Sequence, residues 1–152
     1  MPILPRKGVL AVAAVIDVAI NARDRPVSAK ALAQRHGLPP RHLEPVLQAL
    51  VRVGILRGIR GPRGGYELAR ERQDISAEDI FRAAISVDEM NSGPMSESGL
   101  VTKVVRPALA EAERAFALSL SGLTVDNLAQ RVETRTETNG AGSPARSDVR
   151  TL

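Results

Sequence analysis

From Lys7 to Ala22, apolar residues cover most of the circumference of a helix, the pattern of a central core helix and not of a surface one. The Asp24–Pro26 turn ends that run, and Ser28 follows as an N-cap, with Val27 and Leu32 placed as the two partners of a hydrophobic staple. The spacing predicts a second helix over Ala29–His36, stopped at Gly37, a residue favoured just past a helix end. A third helix starts at Pro39-Pro40, where the first turn needs no intrahelical N–H. In it Leu43, Val46, Leu47 and Leu50 recur at three-to-four spacing and define one buried stripe, which Gly54 closes.

The period then changes. Ile55–Arg60 and Gly65–Ala69 are short strand candidates flanking Gly61-Pro62-Arg63-Gly64, so a β-hairpin with a basic tip is predicted. Ser76, with Asp79 three residues on, resembles a capping box and opens a helix that carries Ile80, Phe81 and Ala84. A polar, turn-like stretch follows from Val87 to Ser98. Beyond it Val101, Val104, Val105, Ala108, Leu109, Ala112, Ala115, Phe116 and Leu120 mark a long amphipathic helix, with Pro107 inside it as an expected kink or division. Thr124 caps a last short helix carrying Leu128 and Val132, and the Thr/Asn/Gly/Ser-rich remainder is expected to be a disordered tail.

The predicted fold is therefore mainly α with a small β-hairpin. Residues 1–86 form a winged helix-turn-helix domain, 87–99 a loop, 100–133 a dimerisation helix with a short terminal helix, and 134–152 the tail. Composition agrees. Hydrophobic residues make up 43% but aromatics only 2%, so the core is built from Leu, Val, Ile and Ala, which suits packed helices better than a sandwich. The apolar run Val9–Ile16 follows Arg6 and Lys7, but Asp17 interrupts it well short of the ~20 residues that span a bilayer. No small-x-small cleavage site follows, so a buried helix in a cytoplasmic protein is expected and no membrane partner.

Charge sharpens the picture. Of the 21 Lys+Arg, 13 lie in residues 1–72 against 5 of the 17 Asp+Glu, leaving 8 against 12 in the rest. A basic front on an acidic back points to a polyanion-binding module joined to something else. If the third helix enters a major groove, its first turn meets base edges. Arg41 then reaches guanine or phosphate, His42 is a further polar candidate, and Glu44 serves selectivity by accepting from cytosine N4. The expected DNA-facing set is Lys7, Ser28, Lys30, Pro40, Arg41, His42, Glu44 and Gln48, with Arg57, Arg60, Gly61, Arg63 and Gly64 from the wing. The expected dimerisation stripe is Val101, Val104, Val105, Ala108, Leu109, Ala112, Phe116 and Leu120, more apolar surface than a small core can cover.

Other chemistries fit poorly. The sequence has no cysteine, which excludes disulfides, thiolate zinc sites and the usual ligands of an iron–sulfur cluster. His36 and His42 have no metal-ligand or nucleophile partner at useful spacing, and Glu78-Asp79 and Glu111/Glu113 read as helix-start and solvated-face charges, so neither an enzyme nor a metal site is expected. Gly61–Gly65 lacks the Gly-Lys-Ser/Thr ending of a nucleotide phosphate loop. The alternative from another class is a winged-helix module that binds protein and not DNA.

Lys7-Gly8, Leu43-Glu44, Leu50, Gly54 and above all Arg60-Gly61-Pro62-Arg63-Gly64-Gly65-Tyr66 resemble the bacterial Rrf-two (Rrf2) family, over residues 3–132. Its members include the iron–sulfur cluster regulator, the nitric-oxide-sensitive repressor and the cysteine-metabolism repressor. The resemblance implies a homodimer whose long C-terminal helix crosses to its partner, placing two winged helices on palindromic double-stranded DNA. It matches Arg41, His42 and Glu44 to the base-reading turn and Arg60–Gly65 to the wing. There are two departures. The stretch from Asp88 to Lys103 lacks the three cysteines that hold a cluster in many members, and Met90 and Met95 cannot replace thiolates, so no cofactor is expected. Pro45 removes the N–H that would bond to the Arg41 carbonyl, which is expected to disturb the reading turn. A small-molecule or protein effector acting near Asp88–Gly99 is the expected signal, if there is one.

Overall fold

A computed structural model describes residues 3–141. In chain order its elements are α1 (Arg6–Asn21), α2 (Ala29–His36), α3 (Pro40–Arg52), β1 (Leu56–Ile59), β2 (Gly65–Leu68), a 3-10 turn at Arg72–Asp74, α4 (Ala77–Asn91), a π-helical turn at Val101–Val105, α5 (Arg106–Ser121) and α6 (Val125–Ala141). The mainly helical chain with one hairpin matches the expected class.

Local sequence accounts for most boundaries. Ser28 Oγ accepts from the Ala31 N–H at 3.1 Å, and the staple partners Val27 and Leu32 are both buried. Gly37 takes the left-handed conformation at φ 64°, where its N–H and that of Leu38 bond back to Gln34 and Ala33. The same arrangement closes α3, where Gly54 at φ 78° lets Gly54 and Ile55 bond back to Val51 and Leu50. Both bonds of the Ser76–Asp79 capping box are present at the start of α4. Pro45 sits inside α3 without breaking it.

The core gathers α1, α2, α3, β1, α4 and the first turn of α6. Ala11, Ala14, Val15 and Val18 of α1 meet Leu32, the α3 stripe Leu43, Val46, Leu47 and Leu50, and Ile75, Ile80 and Val125, all of them fully buried. Gly8 lets α1 and α4 approach, since a Cβ there would lie 2.5 Å from Cε1 of Phe81. The hairpin is antiparallel, with Leu56 opposite Leu68, Arg57 opposite Glu67, Gly58 opposite Tyr66 and Ile59 opposite Gly65. It docks on the α1–α2 connection through two backbone bonds between Val27 and Tyr66, of 2.9 and 2.8 Å. Gly65 is required at this seam because a Cβ there would fall 2.4 Å from the Val27 carbonyl oxygen.

Two expectations are corrected. Residues 87–91, expected to begin the loop, are the last turn of α4, which the Lys7–Asp88 ion pair ties to α1. The terminal helix is not short: α6 continues to Ala141, so residues 134–141, expected in the tail, are helical, and residues 142–152 of that tail lie outside the described residues. Thr124 and Asn127 cap α6 reciprocally, and Glu133 accepts from Arg23 and Arg72 at 3.2 Å each, fastening its middle to the core. Pro107, expected to kink or divide the long helix, lies in the first turn of α5, just after a π-helical turn that divides the pattern and in which the Arg106 N–H bonds to the Val101 carbonyl. Widening that turn gives room for a ring that would otherwise press on the carbonyl four residues back.

Candidate nucleic-acid interface

On α3 the buried stripe fixes what the other side presents. Arg41, Glu44, Pro45 and Gln48 fall along the opposite stripe at three-to-four spacing and are all exposed, while His42 lies exposed on its flank. Pro40 begins the helix and is exposed, as is Lys30 on α2, and Ser28 is half-buried because its hydroxyl serves as the cap. Pro45 stands in the middle of the polar stripe, so the Arg41 carbonyl that it leaves without an N–H lies in that same stripe.

The wing brings its residues beside this helix with unequal freedom. Arg57 is engaged across the hairpin by Glu67 at 2.8 Å, as their register demands, whereas Arg60 and Arg63 at the tip are exposed. Gly61, at φ 119°, turns the chain, and a Cβ on Gly64 would lie 2.2 Å from the Ile59 carbonyl oxygen. These two glycines shape the tip from which the arginines project. Tyr66 joins wing to helix electrostatically. Burial, and then the negative charge of Glu44, push its phenol above the usual value. Lys7 lies elsewhere, at the start of α1, where its ammonium meets Asp88.

A polar cluster under the helix-turn-helix was not foreseen. Asp17, 8% exposed among the apolar residues of α1, accepts from Arg35 Nε at 2.8 Å and Nη2 at 2.6 Å, and from Asn21 Nδ2 at 2.9 Å. His36 Nε2 stands 3.1 Å from the same carboxylate. Burial alone would raise the Asp17 carboxyl, but the hydrogen bonds from Arg35 and Asn21 and the charges of Arg35 and His36 hold it below its ordinary value. The cluster pins the last turn of α2 to α1, and so fixes where the turn into α3 begins. Its sequence signal is a lone acid in an apolar run, which by itself says only that the run is too short to span a membrane.

The proposed dimerisation stripe lies outside the core. Val101 and Leu120 are half-buried, while Val104, Val105, Ala108, Leu109, Ala112 and Phe116 are exposed. The α5 helix rests on α4, where Phe116 meets Phe81 edge-on with ring centroids 6.1 Å apart. In the intervening segment Met95 is exposed and its Sδ accepts from Arg106. Among the described residues no group of three His, Asp or Glu side chains converges to hold a metal. With no thiolate anywhere in the sequence, the donor set does not fit an iron–sulfur cluster. No helix among the described residues is long and apolar enough to cross a membrane.

Comparison with known proteins agrees with this arrangement. The profile of the Rrf2 family, described as an iron-dependent transcriptional regulator, matches residues 4–131. The HTH-type transcriptional regulator IscR of Aliivibrio salmonicida is 30% identical over 145 residues, covering 91% of this chain and 86% of that protein. IscR of Photobacterium profundum is 36% identical over 86 residues, 57% of this chain, and the match spans about half of that protein, 48%. Among solved structures, T. potens IscR superposes with a TM-score of 0.67 at 28% identity, covering 87% of this chain and 89% of that one. The global cysteine regulator CymR of B. subtilis superposes with a TM-score of 0.65 at 26% identity, covering 86% and 98%.

Proposed function

The chain belongs to the Rrf2 family of helix-turn-helix transcriptional regulators, and we propose that it acts within that family as a cluster-free, homodimeric repressor of a palindromic operator. The observation that carries the reading is the polar stripe Arg41–Glu44–Gln48, set opposite a fully buried stripe and beside an arginine-tipped wing. The first turn of α3 reads base edges in the major groove, and Arg60 or Arg63 enters the adjacent minor groove or lies on its phosphates. Lys30, Ser28 and Pro40 face the backbone nearby, while Arg57 and Lys7 contribute through the pairs they already make. The exposed face of α5 is covered by a second copy, which sets two reading heads about one helical turn apart on the duplex. Repression follows from occupancy of the operator in the cytoplasm. An effector, if the chain has one, acts without a metal near Asp88–Gly99, where the Lys7–Asp88 pair ties α4 to α1.

Selection of bound sites from random DNA tests the whole reading at once. An enriched inverted repeat is expected, with affinity falling steeply as salt rises. Enrichment of a single half-site would remove the dimer. No enrichment with a flat salt response would favour a protein-binding winged helix instead. Stoichiometric iron in the purified protein would overturn the cluster-free assignment.

A further inference from the structure

Between the wing tip and the α1–α2 connection runs an open groove of about 500 Å³, lined by Arg25, Arg35 and Arg63 with Asn21 and Ser28. No acidic side chain lines it. Arg25 and Arg63 are exposed, and neither has an ion-pair or hydrogen-bond partner among the described residues. Arg35 is differently placed. Asp17 takes its Nε and one Nη2 proton, which fixes the guanidinium plane and leaves the Nη1 edge to donate outward; the side chain remains 44% exposed. Two exposed cations and one held cation thus face the same space, drawn from the reader and the wing together.

We propose that this groove binds a phosphate of the DNA backbone, with Arg25 and Arg35 as contacts additional to the reading helix and wing tip, and with Asp17 as the residue that positions Arg35. The inference rests on the DNA-binding reading above and extends it to residues outside α3 and the hairpin. A contact here clamps the duplex between the two elements that straddle it, so the wing and the helix-turn-helix are held in one register on the backbone. Asp17 gives the proposal an unusual sign. Removing a negative charge close to a polyanion site ordinarily strengthens binding. Here it releases Arg35, so binding weakens.

Because phosphate contacts carry no sequence information, a short duplex of arbitrary sequence is a sufficient probe, titrated against the full chain by fluorescence anisotropy over a range of salt. Arg25→Ala and Arg35→Ala are each expected to weaken binding about fivefold and to lower the salt slope by about one, whereas Arg114→Ala, on the side of α5 opposite its apolar stripe, changes neither. Asp17→Asn is expected to weaken binding as well, with its fold checked by thermal melting. Because Arg25 is exposed, its variant tests the groove without disturbing the core. An unchanged slope in Arg25→Ala and Arg35→Ala, with the parent chain steeply salt-dependent, would overturn the groove and leave DNA binding standing. A parent chain with no salt dependence would overturn both. Tighter binding by Asp17→Asn would overturn the positioning role. If duplex binding is unaffected but thermal protection by inorganic pyrophosphate disappears in Arg25→Ala, the groove serves a free phosphorylated ligand, and its assignment to DNA fails while DNA binding by the chain stands.

Discussion

Helices α3 and α5 carry apolar residues at the same three-to-four spacing, yet they end in opposite circumstances. Leu43, Val46, Leu47 and Leu50 of α3 are fully buried, while Leu109 of α5 is 62% exposed and Phe116 39% exposed. Amphipathic spacing states that a face needs covering; it does not say what covers it. For α3 the cover lies in the same chain, in α1 and α4. For α5 one edge packs on α4, through Phe116 on Phe81, and among the described residues most of the stripe is exposed, which is where the proposed second copy would sit.

The contrast can be broken by substitution. Leu47→Ala opens a cavity in the packed core and should cost about 3 kcal/mol, read as a lower midpoint in chemical denaturation. If α3 tolerated it within about 0.5 kcal/mol, the two stripes would not differ in kind. Asp17→Asn comes next. It takes the charge out of the hydrogen bonds that Arg35 and Asn21 donate to a carboxylate only 8% exposed, for a loss of about 2 kcal/mol at neutral pH. The pH dependence has a definite sign. The folded carboxyl lies below its ordinary value of 3.8, so its contribution is present above that value and disappears as pH falls through the depressed one. The gap between the parent chain and Asp17→Asn should therefore narrow in acid, and a gap constant from pH 7 down to strong acid would remove the charge from the account. Smallest within one molecule is Leu109→Glu. On an exposed face it should move the stability of the single chain by less than about 0.5 kcal/mol while reducing the mass seen by sedimentation to that of one copy. A stable parent monomer would undo the contrast altogether.

Much of the reader was legible in the sequence because its signals are local. The staple of Val27 and Leu32, the Ser76 box, Gly37 and Gly54 each act within a few residues, and each appears where the pattern put it. The exposed stripe of α3 followed from the buried one. What stayed hidden depends on distant partners. Asp17 looked like a flaw in an apolar helix because Arg35 lies 18 residues away. The last turn of α4 was lost to the loop because Lys7, its anchor, is 81 residues from Asp88. The polar sequence after Glu133 gave no apolar period, yet α6 continues through it, held at Glu133 by arginines from two other segments and with Thr136 and Thr138 returning their hydroxyls to the carbonyls of Val132 and Thr134. Arg25 was passed over because nothing in its neighbourhood along the chain distinguishes it; only the folded wing sets it opposite Arg63.

The widened turn ahead of Pro107 has a consequence for how this chain can vary in length. A π-helical turn holds one residue more than the same height of α-helix requires, so Val101–Val105 carries a surplus. Losing one residue there need only draw the turn tight, leaving the azimuth of everything beyond it nearly where it was. The same loss inside α3 would swing Leu47 and Leu50 away from the core. Loss of a residue is thus absorbed at this place on the way to α5, and the aim of its apolar face is protected from it.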